Sequence, residues 1–394
     1  MTTTPHSPAA PSPAPAAGTP EPAGGPVAEL LWRAVSAGDE DAATAAVLAA
    51  LDAGADPESL LLESVAPVQA RVGREWAANR MTVAQEHAAT AINDRVVAAV
   101  AHHPAGRRRP DRGRITVACV NGEWHALPAR LLAEVLRLRG WRVDFLGAQV
   151  PAPHLIAHLH LTGPDAVALS SSIPTRLPTA HATITACQAA GTPVLAGGAA
   201  FGPDGRYARL LGADAWAADA RSAAARLAEG PLAGGRAAPV RQPADRLPHL
   251  ADQEYTHVTR DAPRLVRDTL AGLEARIPAM RDYTDAQRRH TAEDIAHIVD
   301  FLATALYTGD PGLFTGFLTW TGGILTARGV PAATLRPALD RLAGLLGDFP
   351  RALATLDEAR RALDTAFPPA PAAPETTGPR PPRGRRPGSR AGAA

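Results

Sequence analysis

Three short clusters in the middle of the chain bring together residue types that can do chemistry. The first is Asn121-Gly122-Glu123-Trp124-His125-Ala126-Leu127-Pro128, directly after the apolar run 115–120. The second is Ser170-Ser171-Ser172, after the apolar run 165–169, and the third is Gly197-Gly198, after 193–196. An imidazole nitrogen is a good ligand for a transition metal. Serine hydroxyls hydrogen-bond the nitrogens of a heterocycle, and a diglycine allows close approach to a backbone. On one edge of a sheet, the three loops could hold a large cofactor with a buried tail. A fourth group lies upstream, where Val83, Glu86, His87, Thr90 and Asp94 share one face of a helix that follows Trp76.

The elements that must position these residues are legible in the pattern. Leu61, Val65, Val68, Val72 and Trp76 recur at helical spacing. Thr82 with Gln85 three positions on predicts a capping box at the start of the next helix. Two earlier helices fit 27–37 and 39–53, so 27–102 reads as a four-helix bundle. After a Pro- and Arg-rich link, strands near 115–120, 142–146, 165–169, 193–196 and 214–217 alternate with helices to about 229. This is the grammar of a flavodoxin-like, five-stranded parallel α/β domain over 113–229, with ligands bound beyond the carboxyl ends of the strands. Residues 230–250 read as a linker. Residues 251–366 read as a carboxy-terminal all-α domain, with a stripe at Ile295, Ile298, Leu302 and Leu306 and aromatic residues Phe301, Phe314, Phe317 and Trp320 as its core. The tails, 1–26 and 367–394, are rich in Pro, Ala, Gly and, at the carboxyl end, Arg; both are expected to be disordered.

Composition excludes several classes of function. The 394 residues carry 40 basic and 39 acidic groups, a net charge of +1, which gives no chain-wide field for nucleic acid or membrane. Every basic residue is Arg, so Schiff-base and P-loop lysines are ruled out. Two cysteines, Cys119 and Cys187, cannot build a disulfide scaffold and read as buried small hydrophobes. His154, His158 and His160 read as a solvated helix face, not as a metal trio. The chain shows no signal peptide and no spanning segment and points to a soluble, cytoplasmic protein.

Glu123-x-His125, Ser170-x-Ser172 and Gly197-Gly198, in this order and spacing, resemble the cobalamin-binding domain of corrinoid proteins. Trp76 followed after nine residues by Glu86-His87, with Val83 between, is similar to the signature of light-sensing cobalamin regulators of the CarH type. The resemblance spans roughly residues 30–229. It implies His125 as the lower cobalt ligand, with Glu123 orienting its ring. It also implies Ser170, Ser171, Ser172, Gly197 and Gly198 around the benzimidazole tail, and Trp76, Val83, Glu86 and His87 as a lid over the upper face. Trp124 packs either on the corrin edge or on the bundle. Departures are specific. Glu123 stands where many methyl carriers have aspartate, Pro128 where they have glycine, and Ala77 where the photoreceptors place a second axial histidine. No MerR-like DNA-binding domain is expected in the short polar stretch 1–26.

The resemblance implies a cobalamin-binding regulatory protein and not an enzyme, a light-responsive switch using adenosylcobalamin, with methylcobalamin as the other candidate form. Output is expected through protein contacts of the carboxy-terminal helical domain or through self-association, without direct DNA binding and without a membrane. The alternative is a corrinoid methyl carrier serving a methyltransferase. A cobalamin store is a third reading. A mutase is excluded, because no residues remain to build a substrate barrel.

Overall fold

The computed structural model describes residues 25–232, 247 and 249–368. Nearly all of the two tails expected to be disordered, and most of the 230–250 linker, lie outside the described residues.

The first layer is the helical bundle: α1 (Pro26–Ala37), α2 (Glu40–Asp52), a helix built from α3 (Pro57–Leu60), a π-turn (Leu61–Val65) and α4 (Ala66–Ala77), and α5 (Val83–His102). Asp39, Asp56 and Thr82 cap their helices through side-chain oxygens, and Thr82 forms the expected capping box with Gln85. The apolar face made of Leu31, Val47, Leu61, Val65, Val72 and Val96 closes the core of this layer.

The second layer alternates β1 (Arg114–Cys119), α6 (Leu127–Leu138), β2 (Arg142–Gly147), α7 (Ala152–Thr162), β3 (Ala166–Ser170), α8 (Leu177–Ala189), β4 (Val194–Gly197), α9 (Arg206–Leu210), β5 (Ala215–Ala217) and α10 (Ala220–Ala228). All four strand pairs are parallel, in the order β2-β1-β3-β4-β5. β1 and β3 are buried along nearly their whole length, as strands covered on both faces must be. The order in which strands are added reverses between β1 and β3, so the crevice at their carboxyl ends is the topological switch point of the sheet. Cys119 and Cys187 are buried, as expected.

The bundle sits against the sheet domain. Leu127 and Leu131 of α6 pack into the bundle core. Arg139 donates to both carboxylate oxygens of Glu58 (2.9 and 2.8 Å), and Arg221 reaches Glu58 and Glu63.

The third layer holds α11 (His249–Asp252), α12 (Glu254–Arg276), α13 (Asp285–Thr308), α14 (Pro311–Ala327), α15 (Arg336–Leu345) and α16 (Pro350–Ala366). Phe301 of α13 stacks on Phe317 of α14 with ring centroids 3.9 Å apart. The linker therefore ends earlier than the composition suggested, since α11 begins at His249 and Leu247 is already buried. This layer docks on the sheet domain. Tyr307 Oη lies 2.5 Å from His181 Nδ1, Tyr207 donates to Asp310 (2.7 Å), and the Ile173 side chain enters the core of the third layer.

Candidate cobalamin site

The loop after β1 is shaped by Gly122, which adopts φ +82°, a conformation that favours glycine. The turn sends the Glu123 side chain inwards, where it is fully buried. One carboxylate oxygen, Oε1, accepts from the His125 amide (2.9 Å) and lies 2.7 Å from His125 Nδ1. The other, Oε2, accepts from Ser171 Oγ (3.1 Å) and from the amides of Ser172 (2.6 Å) and Ile173 (3.0 Å). Burial alone would push this carboxyl up. The His125 ring and the amides of His125 and Ser172 outweigh it and hold the carboxyl at about 2. Glu123 thus ties the loop after β1 to the loop after β3, across the switch point. It also occupies Nδ1 of His125, which leaves Nε2 as the ring's nitrogen for a metal; the side chain is 30% exposed.

Beside this dyad, the carboxyl ends of β3 and β4 open into a groove lined by Pro128, Leu132, Ser170, Gly197, Ala218 and Ala223. The two glycines divide the work. A Cβ on Gly197 would meet only the Ala217 carbonyl, at 3.4 Å, so the space for a side chain is left open to the groove. A Cβ on Gly198, where φ is +96°, would stand 2.3 Å from the Ser171 carbonyl. Gly198 therefore lets the fourth loop close on the serine loop. The serines divide likewise: Ser170 lines the groove, whereas Ser171 and the Ser172 amide serve Glu123. An oriented imidazole with one nitrogen spare, beside a mostly apolar slot with an unfilled glycine edge, fits a corrinoid with its tail inserted beside the strands.

The upstream group is only partly gathered. His87 Nδ1 lies 2.7 Å from Glu86 Oε2 and 2.9 Å from the Val83 carbonyl. Glu86 accepts from Thr90 (3.1 Å), Thr90 from Gln69 (2.8 Å), and Gln69 from the buried Asn93 (2.7 Å). This ladder between α4 and α5 was not foreseen; its signal is the buried polar Asn93, one turn beyond Thr90. Val83 and His87 themselves are exposed, and so is Trp124. Trp76 packs on the edge of the bundle core and meets Trp320 of α14, with ring centroids 6.3 Å apart. The Arg328 guanidinium lies 5.0 Å from the same indole. Asp94 is exposed. His158 differs from expectation, because Asp144 of β2 supplies an acidic partner at 3.2 Å; among the described residues no group of three ligands could hold a metal ion.

The chain is similar to several known proteins. Residues 113–228 match the B12 binding domain family model, and residues 27–101 match a second B12 binding domain model. The HTH-type transcriptional repressor CarH of Myxococcus xanthus is 36% identical over 160 residues, covering 39% of this chain and 50% of that protein. The repressor CarA of the same organism is 39% identical over 95 residues, covering 23% of this chain and 31% of that protein. The chain thus spans half the length of one of these curated relatives and less than a third of the other. Among solved structures, the Methanosarcina barkeri monomethylamine corrinoid protein aligns over 50% of this chain and 94% of its own, at 18% identity and TM-score 0.42. The methanol:cobalamin methyltransferase complex MtaBC of the same organism aligns over 55% and 85%, at 19% identity and TM-score 0.29. Fold, site and family models together define a cobalamin-binding protein. The paired B12-binding matches at 27–101 and 113–228 support a cobalamin-binding protein related to CarH and the corrinoid proteins. Among the described residues no helix is long and apolar enough to cross a membrane.

Proposed function

We propose that the protein is a cobalamin-dependent regulatory switch that binds adenosylcobalamin and responds to light. The observation that carries this reading is the buried Glu123 carboxylate, which fixes the His125 ring at the switch point, beside a slot with an open glycine edge. In this reading His125 Nε2 would ligate the cobalt. Ser170 and Gly197 flank the tail, with Gly198, Ser171 and Ser172 shaping the loops around it. Trp76, Val83, Glu86 and His87 face the upper side, and Trp124 lies at the corrin edge. When bound, adenosylcobalamin supplies a weak cobalt–carbon bond that visible light breaks. The chain's own contribution is positional. Glu123 keeps the His125 ring in one tautomer and one orientation. The Asn93–Gln69–Thr90–Glu86 ladder fixes the acid beside His87. The cap packs on the sheet domain through Leu127, Leu131 and the Glu58 ion pairs, an interface that a bound group can bias. Output passes through protein contacts of the third layer or through self-association.

The test is to load the protein in darkness with adenosylcobalamin, record its visible spectrum, then illuminate with green light while following elution volume. A histidine-ligated, base-off spectrum that converts together with a change in size supports the switch. A bound cofactor with no change in size refutes it. The exposed Val83 and His87 favour a second reading, because a methyl carrier needs an open upper face. Methyl transfer from a methylated donor to the reduced, cofactor-loaded protein would establish that reading.

A further inference from the structure

Trp76 is the bundle residue whose indole leaves its own layer. It meets Trp320 at 6.3 Å, Trp320 meets Phe317 at 6.5 Å, and Phe317 stacks on Phe301 at 3.9 Å. Four rings thus run from the end of α4 into the core of the third layer. Arg328, at the carboxyl end of α14, sits against the Trp76 ring. The Trp320 indole nitrogen is buried and has no hydrogen-bond partner among the described residues. A buried indole N–H is a donor that an acceptor brought to this seam would satisfy.

On the other side of the site the third layer meets the sheet domain near Arg176, which lies in the turn between β3 and α8. A Cβ on Gly122 would lie 3.1–3.3 Å from the Arg176 guanidinium, so that side chain covers the turn leading to Glu123 and His125. Asp300 of α13 feels the charges of Arg176 and His297. Desolvation at this seam pushes its carboxyl up.

We infer that Trp320 and Arg328 position the Trp76 indole, and that the carboxy-terminal helical layer thereby sets which upper-face group the cobalamin site accepts. The favoured group is bulky, flat and rich in acceptors, of the nucleoside class, because it can stack beside an indole and offer an acceptor to the Trp320 N–H. The inference rests on the proposed placement of Trp76 above the cofactor, but assigns a role to a layer outside both B12-binding domains.

The experiment is a titration of the full chain with adenosylcobalamin and, separately, hydroxocobalamin, read from the visible spectrum in darkness. Wild type, Trp320→Ala, Trp320→Phe and Arg328→Ala are compared. Trp320→Ala is expected to weaken the adenosyl form about tenfold while leaving the hydroxo form unchanged, and Trp320→Phe to restore most of the difference. Arg328→Ala should shift the ratio in the same direction. Hydrogen exchange across α14 should slow on addition of the adenosyl form in wild type. A ratio unchanged in both Trp320 variants, with no exchange response in α14, overturns the inference while cofactor binding stands. A wild type that binds neither form overturns the proposed function, and this inference with it. If Trp320→Ala proves unfolded by circular dichroism, Trp320→Phe, Arg328→Ala and the wild-type exchange pattern decide.

Discussion

Replacing Glu123 by Gln removes one charge and almost no volume, yet it should damage the site twice. The carboxylate faces donors only: the His125 amide and ring on one oxygen, Ser171 Oγ and the Ser172 and Ile173 amides on the other. An amide offers only one acceptor oxygen. If its NH2 turns towards Ser172 and Ile173, two buried amides lose their partner. If it turns towards His125, the histidine amide loses its partner and Nδ1 must become an acceptor, which places the proton on Nε2 and blocks that nitrogen as a ligand. A buried donor left without an acceptor costs about 1–3 kcal/mol, so the variant should lose about 2–4 kcal/mol of stability. The acidity of the carboxyl leads to a similar figure. Holding it at about 2 against an ordinary 4.5 corresponds to about 3 kcal/mol. The folded value lies below the unfolded one, so this stabilisation is complete above pH 4.5 and fades as the pH falls towards 2. Urea unfolding of cofactor-free protein at neutral and acidic pH measures both effects. Cobalamin titration should show affinity reduced by about 10–100-fold and a weakened histidine-ligated spectrum. A Glu123→Gln variant with wild-type stability and wild-type affinity would refute the reasoning.

The two adjacent glycines should respond differently to alanine. Gly198→Ala meets the Ser171 carbonyl in a backbone conformation that L residues avoid, and should cost about 3 kcal/mol or more in thermal unfolding. Gly197→Ala should fold nearly normally and lose cobalamin affinity; equal melting temperatures for the two variants would contradict the assignment. His181 and His249, both packed on Tyr307, have their pKa values lowered, chiefly by burial. Their neutral forms are therefore favoured in the fold. Their contribution to docking of the third layer is complete above their ordinary value of 6.5 and is lost as the pH falls below it. Protection of the α13 amides, relative to their intrinsic exchange rates at each pH, should fall between pH 7.5 and 5.5, and fall less in His181→Phe. Burial pushes the thiols of Cys119 and Cys187 up to about 12, so neither should react with a disulfide reagent until the protein unfolds; fast labelling of the native protein would show that one of them is accessible.

Local features were readable in the sequence because local physics decides them. Thr82 with Gln85 marks a helix start in any context, and apolar runs of four to six residues between helical patterns have to become buried parallel strands. The residues Glu123, His125, Ser171 and Ser172 meet because the loops after β1 and β3 share one edge of a parallel sheet, and the order of motifs implies that edge. What stayed hidden depends on pairings between distant segments. Nothing near Trp76 indicates that Trp320, 244 positions later, will face it. Asp144 meets His158 only because β2 lies beside the helix that follows it. The π-turn at Leu61–Val65 leaves the i, i+3, i+4 pattern of apolar residues almost undisturbed, so periodicity does not register the extra residue per turn. The division of labour among the serines was equally invisible, since three identical side chains in a row differ only in what each one faces.

Ile173 has a consequence for modularity. Its amide holds the buried carboxylate of the B12-binding domain, while its side chain belongs to the core of the carboxy-terminal layer. One residue is thus a structural member of two domains at once, and the seam between them does not run through a linker. A helical domain grafted onto this protein from elsewhere would have to bring a pocket matched to that one side chain, and a change at position 173 would be felt in both bodies. The carboxy-terminal layer is in this sense less an appendage than a second wall of the serine loop.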